Sequence, residues 1–136
     1  MPCAARTART TDGMRLLDSR RALLAGEAPK PLIAGTNTTI GVVATDALVT
    51  KVQATRLAQM GHDGLARSIN PVHTMSDGDT LFALGTGASG KRLGMMTLGA
   101  MAAEATAQAV VRAVRAAESI EVGGLKLPAL ADLGRA

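Results

Sequence analysis

Polar and apolar positions divide the chain into an irregular first quarter and a more regular remainder. MRLLDSRRALLAG, residues 14–26, has the spacing of a short amphipathic helix stopped by Gly26. EAPKPLIAG follows, and its two prolines read as an extended linker. From Thr39 to Thr45 the chain is almost continuously apolar over a strand's length, the pattern of a strand covered on both faces. Thr50 then opens a helix, with Gln53 at the capping-box position. Ala54, Leu57, Ala58, Gly61 and Leu65 recur at three- and four-residue steps, giving that helix a face of small residues suited to lying close on a sheet. Asn70-Pro71 ends it, VHTMSDGD reads as loop, and TLFALGTG as a second strand. An alanine-rich helix from about Leu93 to Glu118 is apolar nearly all round, as expected of a helix that is buried or at a subunit interface. The tail VGGLKLPALADLGRA is turn-rich. The predicted order is strand, helix, strand, helix, behind a loosely attached N-terminal arm.

Composition narrows what such a chain can do. Its 136 residues suit one domain with a moderate core, and 47 % hydrophobic content argues against disorder over most of the length. Phe82 is the single aromatic residue, so the core must be built from Ala, Val, Leu and Met. Nucleic-acid binding by base stacking lacks its platforms. The net charge of +4 comes largely from scattered arginines, a pattern of solvated faces more than of a basic groove. Cys3 is the only cysteine, which rules out a disulfide within the chain and fits a reducing compartment. The opening residues lack the apolar core of a secretory signal, and Leu93 to Ala103 is too short an apolar run to span a bilayer. The expectation is a soluble, cytoplasmic protein that binds neither nucleic acid nor membrane.

Three stretches carry candidate chemistry. GTGASGKR, residues 85–92, satisfies G-x-G-x-x-G through Gly85, Gly87 and Gly90, and the first seven places of a P-loop through Lys91. Arg92 stands where a P-loop needs Ser or Thr for Mg²⁺, and no acidic residue follows at the end of a second strand. A turn or a substrate-side glycine loop therefore outweighs phosphate-ligand binding at Gly85–Lys91. SDGDT, residues 76–80, sets Asp77 and Asp79 two apart, on one side of an extended chain. Such a pair is either a polar turn before the strand or two interacting carboxylates awaiting a proton or a cation. His62 in the first long helix and His73 in the loop are candidate bases without a partner at a telling spacing; a helix-surface and a loop histidine are the plainer readings. The third stretch is Asn37-Thr38-Thr39. It matches a glycosylation sequon, which means little without a secretory signal. It would also deliver a threonine to the mouth of a strand. Were the Asn37–Thr38 bond cut, the new α-amine, with a reference pKa of about 7.7–8.0, would be the base that activates the Thr38 hydroxyl.

NTTIGVVATDA, KVQATRLAQMGHDGLARSI, PVHTMSDGDTLFALGTG and the alanine-rich helix, in that order, together resemble the self-processing L-aminopeptidase/D-esterase peptidases. The likeness is strongest to the branch of the nylon-oligomer (aminohexanoate-oligomer) endohydrolases and runs from about Asp12 to the C-terminus. The resemblance implies an α+β fold, the β-chain half of a four-layer α/β/β/α sandwich of the N-terminal-nucleophile type. It implies a precursor cut into α and β chains, with Asn37 the residue released and Thr38 the nucleophile that opens the β chain. Asp77 and Asp79 fall on the family's polar pair, which binds the nucleophile and its ammonium. Residues 1–37 would then be a remnant of the α region and residues 38–136 the β-chain catalytic region.

The implied reaction is amide hydrolysis of small peptides or amide oligomers, with no cofactor or metal. A long α region, which supplies the oxyanion hole, precedes the cleavage site in the family, whereas 37 residues precede Thr38 here. The chain is thus expected to be a truncated precursor or one part of a complex, as a homo-oligomer or with a separate α chain. A non-catalytic fragment or assembly partner is the competing expectation.

Overall fold

The computed structural model describes residues 18–27, 38–75 and 77–133, without the side chains of residues 125–127. Helix α1, Ser19–Leu24, is capped by Asp18, whose carboxylate accepts from the Arg21 amide at 3.0 Å. It ends as expected at Gly26, which takes a φ of +79°. The start of the predicted helix, residues 14–17, lies outside the described residues.

Strand β1, Ile40–Thr45, and strand β2, Thr80–Gly85, pair in parallel with Ile40 opposite Thr80 and Thr45 opposite Gly85. Helix α2, Lys51–Ser68, connects them, as a parallel pair requires. Its capping box is formed in full: Thr50 Oγ accepts from the Gln53 amide at 3.3 Å, and Gln53 accepts from the Thr50 amide at 2.8 Å. Thr50→Ala removes half of that exchange, and an apparent stability lower by about 1 kcal/mol in urea titration is expected.

Helix α3, Met95–Ala116, packs along α2, and both helices lie on one side of the sheet. Small residues set the distances. A Cβ on Gly61 would meet Leu81 at 2.9 Å and Val43 at 3.2 Å, and one on Gly64 would meet the Ala103 carbonyl oxygen at 2.3 Å. Ala47, Leu57, Leu98 and Ala102 form the buried core, with Val43, Val49, Ala83 and Met95 packed against it.

One expectation changes. The near-continuous apolar run of β1 implied cover on both faces, but Ile40 and Val42 are 72 % and 61 % exposed, with Phe82 and Leu84 beside them on the same open face. Helix α3, expected to be buried or at a subunit interface, buries one stripe through Leu98, Gly99, Ala102 and Ala103, with Met96 and Met101 exposed. Apolar sequence on the second face of the sheet marks surface that stands exposed among the described residues. The turn-rich tail also contains structure the sequence reading missed: an antiparallel hairpin of β3, Ile120–Val122, and β4, Leu125–Leu127, followed by a 3-10 turn over Leu130–Asp132. Among the described residues, no helix is long and apolar enough to cross a membrane.

Candidate active site

The parallel register builds the site. Its offset of forty residues, extended backwards from Ile40 and Thr80, sets Thr39 beside Asp79 and Thr38 beside Gly78. The Thr80 amide donates to the Thr39 carbonyl at 2.8 Å, so the ladder continues one step beyond the strands. Thr38 lies against Gly78: a Cβ at that position would sit 2.9 Å from Thr38 Oγ1. The absence of a side chain between the two aspartates leaves room for the threonine hydroxyl.

The aspartates do different work. Asp79 is nearly buried, its side chain 7 % exposed, and its Oδ1 accepts from the Thr39 amide at 2.9 Å. The residue immediately after Thr38 is thereby tied to a carboxylate forty positions away in sequence. Asp77 instead closes its own loop: its Oδ2 accepts from the Thr74 amide at 2.7 Å, while its amide donates to the Thr74 carbonyl at 3.1 Å. Asp77 thus forms the polar turn that SDGDT allowed, while Asp79 reaches across to the mouth of β1. Asn37 lies outside the described residues.

A histidine pair joins this group, where sequence reasoning found no partner for either member. His73 Nδ1 is 3.3 Å from Asp79 Oδ2, and the His73 ring lies tilted against His62 of α2, centroid to centroid 4.9 Å. His73 holds φ at +57°, a left-handed conformation costing about 1 kcal/mol in a non-glycine residue. Histidine is one of the few side chains enriched there. The one signal in the sequence was proximity, since His73 precedes Asp79 by six residues in a loop.

The glycine loop does not provide a phosphate cradle. Such a cradle needs a run of free backbone N–H groups. Here the Ala88 amide donates to Thr86 Oγ1, Ser89 to the Asp46 carbonyl, Gly90 to the Gly87 carbonyl and Lys91 to Ser89 Oγ, at 3.0–3.3 Å. The Lys91 carbonyl in turn accepts from Leu48 at 2.8 Å. The loop fastens the end of β2 to the β1–α2 connection. Among the described residues, no group of three or more His, Cys, Asp or Glu is placed to hold a metal ion.

The profile of peptidase family S58 matches residues 4–126. The chain belongs to peptidase family S58. An uncharacterized aminopeptidase of Mycobacterium leprae is 45 % identical, over 67 % of this chain and 29 % of that protein. Another from Mycobacterium tuberculosis is 60 % identical over 38 % of this chain and 15 % of its own length. The 6-aminohexanoate-oligomer endohydrolase of Kocuria sp. is 35 % identical over 62 % of this chain and 27 % of its own length. The aligned part thus spans less than a third of the length of each of these relatives.

Proposed function

We infer that this S58 chain carries the nucleophile of an amide or peptide hydrolase, with Thr38 acting as an N-terminal nucleophile after the Asn37–Thr38 bond is broken. The observation that carries this reading is Thr38 Oγ1 seated over Gly78, with the next amide held by the nearly buried Asp79. In the first step Thr38 Oγ attacks the Asn37 carbonyl carbon and the peptide nitrogen leaves as the Thr38 amine, an N-to-O acyl shift. Water then hydrolyses the ester, giving an Asn37 carboxylate and a free α-amine at Thr38. In each later turnover that amine takes the hydroxyl proton as Oγ attacks a substrate amide carbonyl. The proton passes to the departing substrate amine, and water releases the acyl group. Asp79 fixes the start of β1 and offers a carboxylate next to the new ammonium. Asp77 keeps the loop that carries Gly78 closed. Names of the relatives support peptides and amide oligomers as the substrate class.

Residues 1–37 then belong to an α region and residues 38–136 to the β chain. The open face of Ile40, Val42, Phe82 and Leu84 supports a four-layer sandwich, in which a second sheet from an α region covers it. That same face favours a second reading, a β-type subunit that is catalytically silent until an α chain docks. Intact-mass measurement of the purified chain separates the two. Self-processing is expected to yield two fragments, the larger beginning at Thr38 and accompanied by hydrolysis of an aminoacyl p-nitroanilide. A chain that persists uncut and releases no nitroaniline supports the subunit reading.

A further inference from the structure

We propose that His73 is a positioning residue for Asp79, holding the outer carboxylate oxygen so that the inner one faces the Thr39 amide beside the nucleophile. The proposal rests on the reading of Thr38 as nucleophile, and four observations carry it. The two oxygens of Asp79 are divided between two partners, Oδ1 with the Thr39 amide at 2.9 Å and Oδ2 with His73 Nδ1 at 3.3 Å. The Asp79 side chain is nearly removed from solvent while that of His73 remains 41 % exposed, so of the two partners the imidazole is the one that meets solvent. The ring is in turn backed by His62, 4.9 Å away on α2, which is the helix lying on the sheet. Finally, the loop holds His73 in the left-handed region, a conformation tolerated where surrounding contacts determine it.

These contacts join the mouth of β1 and the loop before β2 at one carboxylate, with α2 behind the loop through His62. A carboxylate anchored by one oxygen alone rotates about its χ2, which is a broad torsion. Held by both, it keeps a fixed direction towards the group it serves, and small losses of such placement are costly in rate. With Nδ1 facing the acid, the tautomer protonated there, or the imidazolium, is the form that donates. Asp79 and His62 are the titratable side chains the described structure sets against the His73 ring.

Two substitutions separate the side-chain contact from the backbone conformation. His73→Gly keeps the left-handed φ and removes the donor, whereas His73→Asn keeps tolerance of that φ and restores an N–H near the Nδ1 position. For the full chain with an aminoacyl p-nitroanilide, His73→Gly is expected to lower kcat about 10-fold or more, with KM within about 2-fold. His73→Asn is expected to recover most of the loss. A merely structural histidine predicts the opposite order, with glycine the better tolerated. Independently of catalysis, the chain has two imidazoles, and their ¹⁵N spectrum reports the contact directly. Asp79→Asn is expected to shift the His73 Nδ1 resonance well beyond the change seen at His62. An unmoved His73 resonance, or His73→Gly with wild-type kcat, overturns the proposal. If the unmodified chain neither cuts itself nor hydrolyses the anilide, self-processing by this chain alone fails instead, and the spectrum decides whether His73 holds Asp79.

Discussion

Thr38→Ala is expected to leave the polypeptide at its full 13.8 kDa, with neither self-cleavage nor hydrolysis above background. Both steps use the same oxygen, so one substitution removes both. A nucleophile that acts together with its base contributes rate as a unit, and its loss costs about 1,000-fold or more. The variant should fold normally, because Thr38 is exposed and precedes the ladder that begins at Thr39. Thr38→Ser supplies the control. It keeps the hydroxyl and loses the methyl that lies 3.8 Å from where a Gly78 Cβ would be. Processing within about 10-fold of the parent rate is expected, since serine is the weaker only in restricting its own χ1. Continued cleavage at Asn37–Thr38 in the alanine variant would sink the N-terminal-nucleophile reading whatever else the site does.

The largest stability effect should come from Gly64→Ala, within the contact between the two long helices. In an isolated helix this change is favourable by about 1 kcal/mol, because glycine loses more backbone entropy than alanine. Packing opposes it more strongly. The new methyl would stand 2.3 Å from the Ala103 carbonyl oxygen, 2.6 Å from Thr106 Cβ and 3.0 Å from the Ala107 nitrogen. Two of those neighbours are helix backbone, which can yield only by moving α3 away from α2. Overpacking of this kind costs about 1–3 kcal/mol and sometimes more, so a net loss of about 2 kcal/mol is expected, with Tm lower by about 8–10 °C.

Gly61→Ala, one turn earlier, provides the comparison. Its nearest contact is Leu81 Cδ1 at 2.9 Å, the tip of a flexible side chain, followed by Val43 Cγ2 at 3.2 Å. Here the clash can relax, and a change within about 1 kcal/mol of zero is expected. Equal melting temperatures for the two variants would show that the helices are not held at the spacing described.

The local elements were well marked in the sequence. Thr50 and Gln53 announce the start of α2 because a capping box depends on four consecutive residues and nothing else. Gly26 ends α1 for the same kind of reason. The apolar runs placed β1 to within one residue and β2 to within two residues of their observed ends. The hairpin near the C-terminus was marked only by Gly123-Gly124, because its strands are three residues each and periodicity has too little length to register there. At the glycine loop the sequence already favoured a turn, because Arg92 stands where a P-loop needs Ser or Thr. The loop's spacing matched a phosphate motif, yet the amides at positions 88–91 are bonded within the protein, a condition that spacing alone does not record.

The sequence by itself determined which residues could do chemistry: Thr38 at a strand mouth, Asp77 and Asp79 around Gly78, and the order of elements that carries them. Resemblance to a peptidase family was carried by those same contiguous blocks, and family membership followed from them. Only the tertiary structure decided how the candidates divide the work. A parallel register brings Thr39 to Asp79 across forty residues, and it separates that acid from Asp77, which turns back on its own loop. The fold of α2 over the sheet brings His62 to His73, and the loop brings His73 to Asp79. Local rules act over three or four neighbours, whereas these contacts depend on strand pairing and helix packing. Side chains remote in sequence share no local pattern that could have announced their meeting.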